Sequence, residues 1–127
     1  EMDLAETLMG AVGRVVRLED EAQMDAVTAI SGSGPAYFFL VAEALVDAGV
    51  QLGLPRDVAE KLAAQAAAGS GEMLASSGRS ATQLRAGVTS PGGTTAAAVR
   101  ELEESGLRGA FYRATEICAE RSEELGK

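Results

Sequence analysis

The chain has 127 residues, enough for one domain of ordinary size with a real core, and 46% are apolar, too many for a disordered segment. The 11 basic and 19 acidic residues give a formal charge of −8, which argues against a sequence-independent nucleic-acid partner and against an anionic membrane surface. One cysteine and no histidine exclude an internal disulfide and argue against a zinc site or a histidine-based triad, so no metal is expected.

Alanine dominates the apolar residues and aromatics make up only 4%, a composition that suits closely approaching helices better than a sheet. The start, Glu1-Met2-Asp3, lacks the basic opening of a signal peptide, and Leu4, Leu8 and Ala11 already show helical spacing. It reads as a piece of something longer. Residues 3–11 read as the end of a short helix stopped by Gly10 and Gly13, and Arg14-Val-Val-Arg-Leu18 as a short strand. Glu19-Asp20-Glu21 precedes Met24, Val27 and Ile30, a short helix with carboxylates at its favourable end.

Ser31-Gly-Ser-Gly-Pro35 is a break that also starts a helix, with Ser33 or Gly34 as cap and Pro35 in the first turn. The helix expected over residues 36–48 carries Tyr37, Phe38, Phe39, Leu40, Val41, Leu45 and Val46 around most of its circumference, so it should be buried on nearly all sides. No apolar stretch approaches the roughly 18 residues of a membrane span on this reading, and no membrane partner is expected. Pro55 opens the next helix, through about Ser76. Its middle, Ala63-Ala-Gln-Ala-Ala-Ala-Gly-Ser-Gly71, has almost no bulk. That stretch suits either a tight helix crossing or simply the best helix former, and both readings stay open. Ser80-Ala-Thr-Gln83 matches a capping box for a helix ending near Ala86. A helix over residues 94–105 and a last one from Leu107 to about Leu125 complete an all-α array from about residue 21 onward.

The run Thr89-Ser90-Pro91-Gly92-Gly93-Thr94-Thr95 carries the most chemistry. Pro91 forces the preceding helix to end, and the two glycines leave the backbone uncovered. The N–H groups of Gly93, Thr94 and Thr95 should then lie unpaired in the first turn of a helix, where they and the helix dipole favour a carboxylate or phosphate. A plain helix–helix turn is the competing reading. Ser31-Gly-Ser-Gly-Pro35 has similar chemistry but is no dinucleotide fingerprint, because Tyr37 stands where the third glycine would be. Glu43 and Asp47, four apart, could act as an acid/base pair but read better as a polar stripe, and Cys118 as a small core filler.

Asp25-Ala-Val-Thr-Ala-Ile-Ser-Gly-Ser-Gly-Pro-Ala-Tyr37 and Leu84-Arg-Ala-Gly-Val-Thr-Ser-Pro-Gly-Gly-Thr-Thr95 together resemble the C-terminal domain of the pyrroline-5-carboxylate reductase family. Glu43-Ala-Leu-Val-Asp-Ala-Gly-Val50, Gly53-Leu-Pro-Arg56 and Leu102-Glu-Glu-Ser-Gly-Leu-Arg108 fit the same family in order and spacing. The resemblance implies an oxidoreductase that reduces 1-pyrroline-5-carboxylate to L-proline with NADPH or NADH, the last step of proline biosynthesis. It implies residues 1–20 as the last helix and strand of a Rossmann-type dinucleotide-binding domain. Residues 21–127 would be a helical-bundle dimerisation and substrate-binding domain. Such a chain should bind the cofactor poorly alone. The family's members form homodimers that often assemble further, and a cytoplasmic location is expected. Carried onto this chain, the resemblance gives Ser90, Gly92, Gly93, Thr94 and Thr95 to the substrate, with Thr95 as the catalytic residue near the imine nitrogen. It sets Ser33, Gly34 and Pro35 near the nicotinamide. Two rivals remain: a non-catalytic helical oligomerisation module, and a related imine or hydroxy-acid reductase.

Overall fold

The computed structural model describes residues 22–126. The helix expected over residues 3–11, the strand over 14–18 and the whole 1–20 segment therefore lie outside the described residues. Among the described residues every regular element is helical: α1 (Ala22–Val27), a π-helical turn (Thr28–Gly32), α2 (Gly34–Gln51), α3 (Arg56–Ser76), α4 (Ala81–Gly87), α5 (Thr94–Glu104) and α6 (Leu107–Leu125).

The helix ends follow local chemistry. Ser80 caps α4 through the Gln83 N–H at 3.1 Å, while the Gln83 side chain accepts from the Ser80 N–H at 2.9 Å, so both halves of the expected capping box form. Pro55 is the N-cap residue of α3, where its missing N–H leaves nothing unpaired, and Asp57 in the first turn complements the helix dipole. The short helix read around Met24 is real but ends early, because the chain passes at Thr28 into a wider π turn that the apolar spacing does not foretell.

Two compact units result, with divisions between Tyr37 and Phe38 and between Leu107 and Arg108. In the unit Phe38–Leu107, α2 and α3 approach closely across the turn at residues 52–55. A Cβ on Gly49 would come within 3.1 Å of the Ala59 Cβ, so glycine at 49 permits the approach, and Ala59 and Ala63 are buried there. In the other unit α6 packs along α1, the π turn and the first turn of α2 through Asp25–Ser122, Ser33–Cys118 and Tyr37–Phe111.

Two expectations fail here. The α2 helix is not buried on nearly all sides: Phe38, Phe39 and Leu40 are 65–69% exposed, because one copy of the chain provides too little surface to cover them. And the stretch Gln23–Gln51, 29 residues through α1, the π turn and α2, is long and apolar enough to cross a membrane by length and composition alone. Counting unbroken apolar stretches missed it, since the glycines, Pro35, Glu43 and Asp47 interrupt the run without lowering its average below that of a span.

Candidate functional site

The glycine-rich run lies between α4 and α5. At the end of α4 the N–H groups of Val88 and Thr89 donate to the carbonyls of Arg85 and Ala86, both at 3.2 Å, and the Thr89 hydroxyl donates to the Arg85 carbonyl at 2.6 Å. These short-range bonds tighten the last turn and anchor Thr89. The next four residues form a β-turn closed by the Gly93 N–H donating to the Ser90 carbonyl at 3.0 Å. Pro91 at the second position and Gly92 at the third, with φ +72°, are the residues a type II turn demands. Gly93 follows in extended conformation (φ −84°, ψ 178°) as the N-cap of α5, and no side chain caps the helix.

This geometry shifts the expected donor set by one residue. The Gly93 N–H is spent on closing the turn, so it is not available to an anion. The first helical rung runs from the Ala97 N–H to the Gly93 carbonyl at 3.2 Å. That leaves the N–H groups of Thr94, Thr95 and Ala96 as the first three helical donors, which have no intrahelical acceptor. The Ala96 side chain carries no chemistry, and only its place as the third residue after the N-cap marks its N–H as a donor. Ser90, Gly92, Thr94 and Thr95 are exposed, and no acidic residue lies in the first turn of α5 to repel an anion. Thr94 and Thr95 also bring two hydroxyls to adjacent positions of the same turn. An anion, carboxylate or phosphate, is the chemistry such a helix start suits.

The second candidate segment has a different character. Ser33 is the residue between the π turn and α2, its N–H donating to the Thr28 carbonyl at 2.9 Å, five residues back. Its hydroxyl hydrogen-bonds with the Cys118 thiol at 3.2 Å, either group donating. Gly34 is buried, while Pro35 is exposed. Among the described residues, a Cβ built on Gly34 would meet no heavy atom within 4 Å beyond its chain neighbours and its own helix. Tyr37 donates its phenol proton to the Ala29 carbonyl at 2.7 Å and sets its ring edge-on to Phe111, with centroids 6.0 Å apart at 71°. Partial burial, then the neighbouring Cys118, push the Tyr37 phenol above its ordinary 10.0, while the Ser33 hydroxyl pulls the other way.

Other candidates stay apart from chemistry. Asp47 forms an exposed ion pair with Arg56 at 3.3 Å and Glu43 is exposed, so the two carboxylates make no acid/base pair. Cys118 is half-buried and polar in its contacts, more than the apolar filler expected. Among the described residues no group of His, Cys, Asp and Glu converges to hold a metal ion.

A family model described as pyrroline-5-carboxylate reductase dimerisation matches residues 21–125. A pyrroline-5-carboxylate reductase of Corynebacterium melassecola is 57% identical over 127 residues, covering 100% of this chain and 47% of the relative. One from Mycobacterium tuberculosis is 51% identical, covering 98% of this chain and 48% of the relative. The solved structure of a Coxiella burnetii pyrroline-5-carboxylate reductase superposes with a TM-score of 0.89 at 46% identity, covering 98% of this chain and 46% of that one. A Plasmodium falciparum pyrroline carboxylate reductase solved with NADP bound gives 0.80 at 39%, covering 89% of this chain and 43% of that one. The chain thus spans about half the length of the relatives it matches.

Proposed function

The chain belongs to the pyrroline-5-carboxylate reductase dimerisation family, and from that premise we propose that, within a longer protein, it provides the substrate half of a reductase converting 1-pyrroline-5-carboxylate to L-proline with NADPH or NADH. The observation that carries this reading is the turn at residues 90–93, which delivers three free N–H groups, of Thr94, Thr95 and Ala96, to an exposed helix start without an acidic neighbour. Those donors hold the substrate carboxylate. Ser90 and Gly92 shape the turn beneath it, and Gly93, its N–H already used, sets the direction in which α5 begins.

The Thr95 hydroxyl is assigned to the imine nitrogen. With the carboxylate fixed a few atoms away, one hydrogen bond at that nitrogen suffices to choose the face and angle at which the imine carbon is presented, and positioning is the larger part of such a reaction. A bound nicotinamide supplies the hydride. The described residues fit such a cofactor only in part: they hold no phosphate-cradling glycine fingerprint, whereas the Ser33, Gly34 and Pro35 segment exposes Pro35 at the start of α2, which suits one face of a flat ring. The rest of the cofactor site is assigned to a dinucleotide-binding domain of which residues 1–20 are the end, and the start of the family match at residue 21 supports that boundary.

The exposed apolar face of α2 is assigned to a second copy of the chain, as the family's description supports. Lipid fits it less well, because Glu43 and the ion-paired Asp47 would have to enter hydrocarbon. Assemblies beyond the dimer and a cytoplasmic location belong to the same reading. The isolated chain, lacking most of the cofactor site, is assigned association without turnover.

The test uses the full-length protein that contains this chain, with NADPH and 1-pyrroline-5-carboxylate. Thr95→Ala should lower kcat/KM by about 10- to 100-fold, the worth of a hydrogen bond to a group that becomes charged. Thr95→Ser should stay close to the parent. Full activity in Thr95→Ala would remove Thr95 from the site, and no oxidation of NADPH by the parent would remove the reading itself.

A further inference from the structure

Three contacts join α6 to the segment that leads into α2, and they run in opposite order along the two. Asp25, Ser33 and Tyr37 meet Ser122, Cys118 and Phe111. The three α6 residues are spaced seven and four apart, so they share one face of that helix. The Ser122 hydroxyl donates to Asp25 at 2.7 Å at one end, and the Tyr37 and Phe111 rings meet at 6.0 Å at the other. Ser33–Cys118, at 3.2 Å, is the middle rung.

The middle rung falls at the junction of the π turn and α2, where the Ser33 N–H donates to the Thr28 carbonyl at 2.9 Å and the Ser33 carbonyl accepts from the Ala36 N–H at 3.0 Å. The π turn Thr28–Gly32 widens the helix, and the Thr28 and Ser31 hydroxyls donate back to the Met24 and Val27 carbonyls, both at 3.1 Å. Such back-bonding bends helices. Pro35 has no N–H, so it cannot bond to a carbonyl of the preceding turn. Tyr37 reaches back eight residues to the Ala29 carbonyl to tie the same stretch down. The Ser33 backbone is thus held by its own segment, while its hydroxyl is what α6 reaches, through Cys118.

We propose that Cys118 is a positioning residue that, by holding the Ser33 hydroxyl against α6, sets the backbone of Gly34 and Pro35 where the cofactor ring lies. The proposal rests on the reading of Ser33, Gly34 and Pro35 as the nicotinamide face. It needs a hydrogen-bonding group at 118 and no thiol chemistry, and it touches neither substrate nor hydride.

The experiment measures NADPH dissociation constants by fluorescence titration of the full-length protein, with Tm for every variant. Cys118→Ala should raise the NADPH Kd about fivefold, the effect of one net hydrogen bond. Cys118→Ser, which keeps a hydroxyl within reach, should restore it to within about twofold of the parent. Ser122→Ala removes the neighbouring rung on the same face and should lower Tm while leaving the Kd unchanged. An unchanged Kd in Cys118→Ala, no rescue by Cys118→Ser, or an equal rise in Ser122→Ala would each overturn the proposal. Gly34→Ala separates the two levels, since among the described residues its Cβ meets nothing within 4 Å, and its Tm reports whether the variant folds. If Gly34→Ala weakens NADPH and Cys118→Ala does not, the positioning role alone falls. If neither does, the assignment of the cofactor to this segment falls with it.

Discussion

Gly92 has φ +72°, in the left-handed region where a Cβ meets the following carbonyl and costs about 1–2 kcal/mol. Nothing lies within 4 Å of a Cβ at this position, so Gly92→Ala acts through the backbone alone. The variant should lose about 1 kcal/mol in urea unfolding. Because the same turn precedes the N–H groups of Thr94, Thr95 and Ala96, the proposed function predicts that KM for 1-pyrroline-5-carboxylate in the full-length protein rises more than kcat falls. A KM unchanged beside the lost stability would separate the turn from the substrate. Tyr37 gives a second test at this scale. Its phenol is held above 10.0 mainly by partial burial, so the folded chain favours the protonated form. The stability this contributes is fully present below pH 10 and is lost as pH rises through the folded pKa. Melting curves from pH 9 to 11.5 should therefore fall more steeply for the parent than for Tyr37→Phe, and parallel curves would contradict the shift.

Helix boundaries were the most legible part of the sequence, because their signals are local. Ser80 and Gln83 announce their capping box, Pro55 announces the start of α3, and Pro91 with two glycines announces the turn before α5. Three features were not legible, each for a reason of distance or count. The π turn differs from an α-helix by one residue per turn and leaves no mark on composition. The Gly93 N–H is taken by the Ser90 carbonyl, a bond decided by turn geometry rather than residue type. Ser33 and Cys118 are 85 positions apart, beyond any periodicity. The small-residue centre of α3 left two readings open, and the structure narrows them: a Cβ on Gly69 or Gly71 would meet nothing within 4 Å, so no close approach within this chain accounts for the glycines. Gly71 lines an apolar groove of about 370 Å³ with Phe38, Val41, Leu45, Ala67 and Leu74. If a second copy fills it, Gly69→Ala/Gly71→Ala should keep full helicity by circular dichroism yet raise the dimer dissociation constant about tenfold, roughly 1.4 kcal/mol of lost fit. Tighter association would instead mean that the added helix propensity is the whole effect.

Among the described residues few side chains are buried and many apolar ones are exposed: Ala29, Ala59 and Ala63 are the buried apolar ones, while Phe38, Phe39, Leu40, Ile117 and Leu125 are each more than 60% exposed. If a second copy covers these faces, part of the stability comes from association and the Tm should depend on concentration. A tenfold dilution should lower Tm by about 2–5 °C, and a Tm independent of concentration would contradict a second copy on these faces. The π turn Thr28–Gly32 has a consequence at the same scale. Each residue of an α-helix turns the chain by about 100°. Deleting one residue between 28 and 32 would let the turn relax to ordinary helix and swing all that precedes it by about that angle against all that follows. Asp25 would leave Ser122 while Tyr37 kept Phe111, and any domain joined ahead of α1 would be carried round with it. The extra residue works as an angular setting, a whole-number dial that substitution cannot turn and that only insertion or deletion can reset.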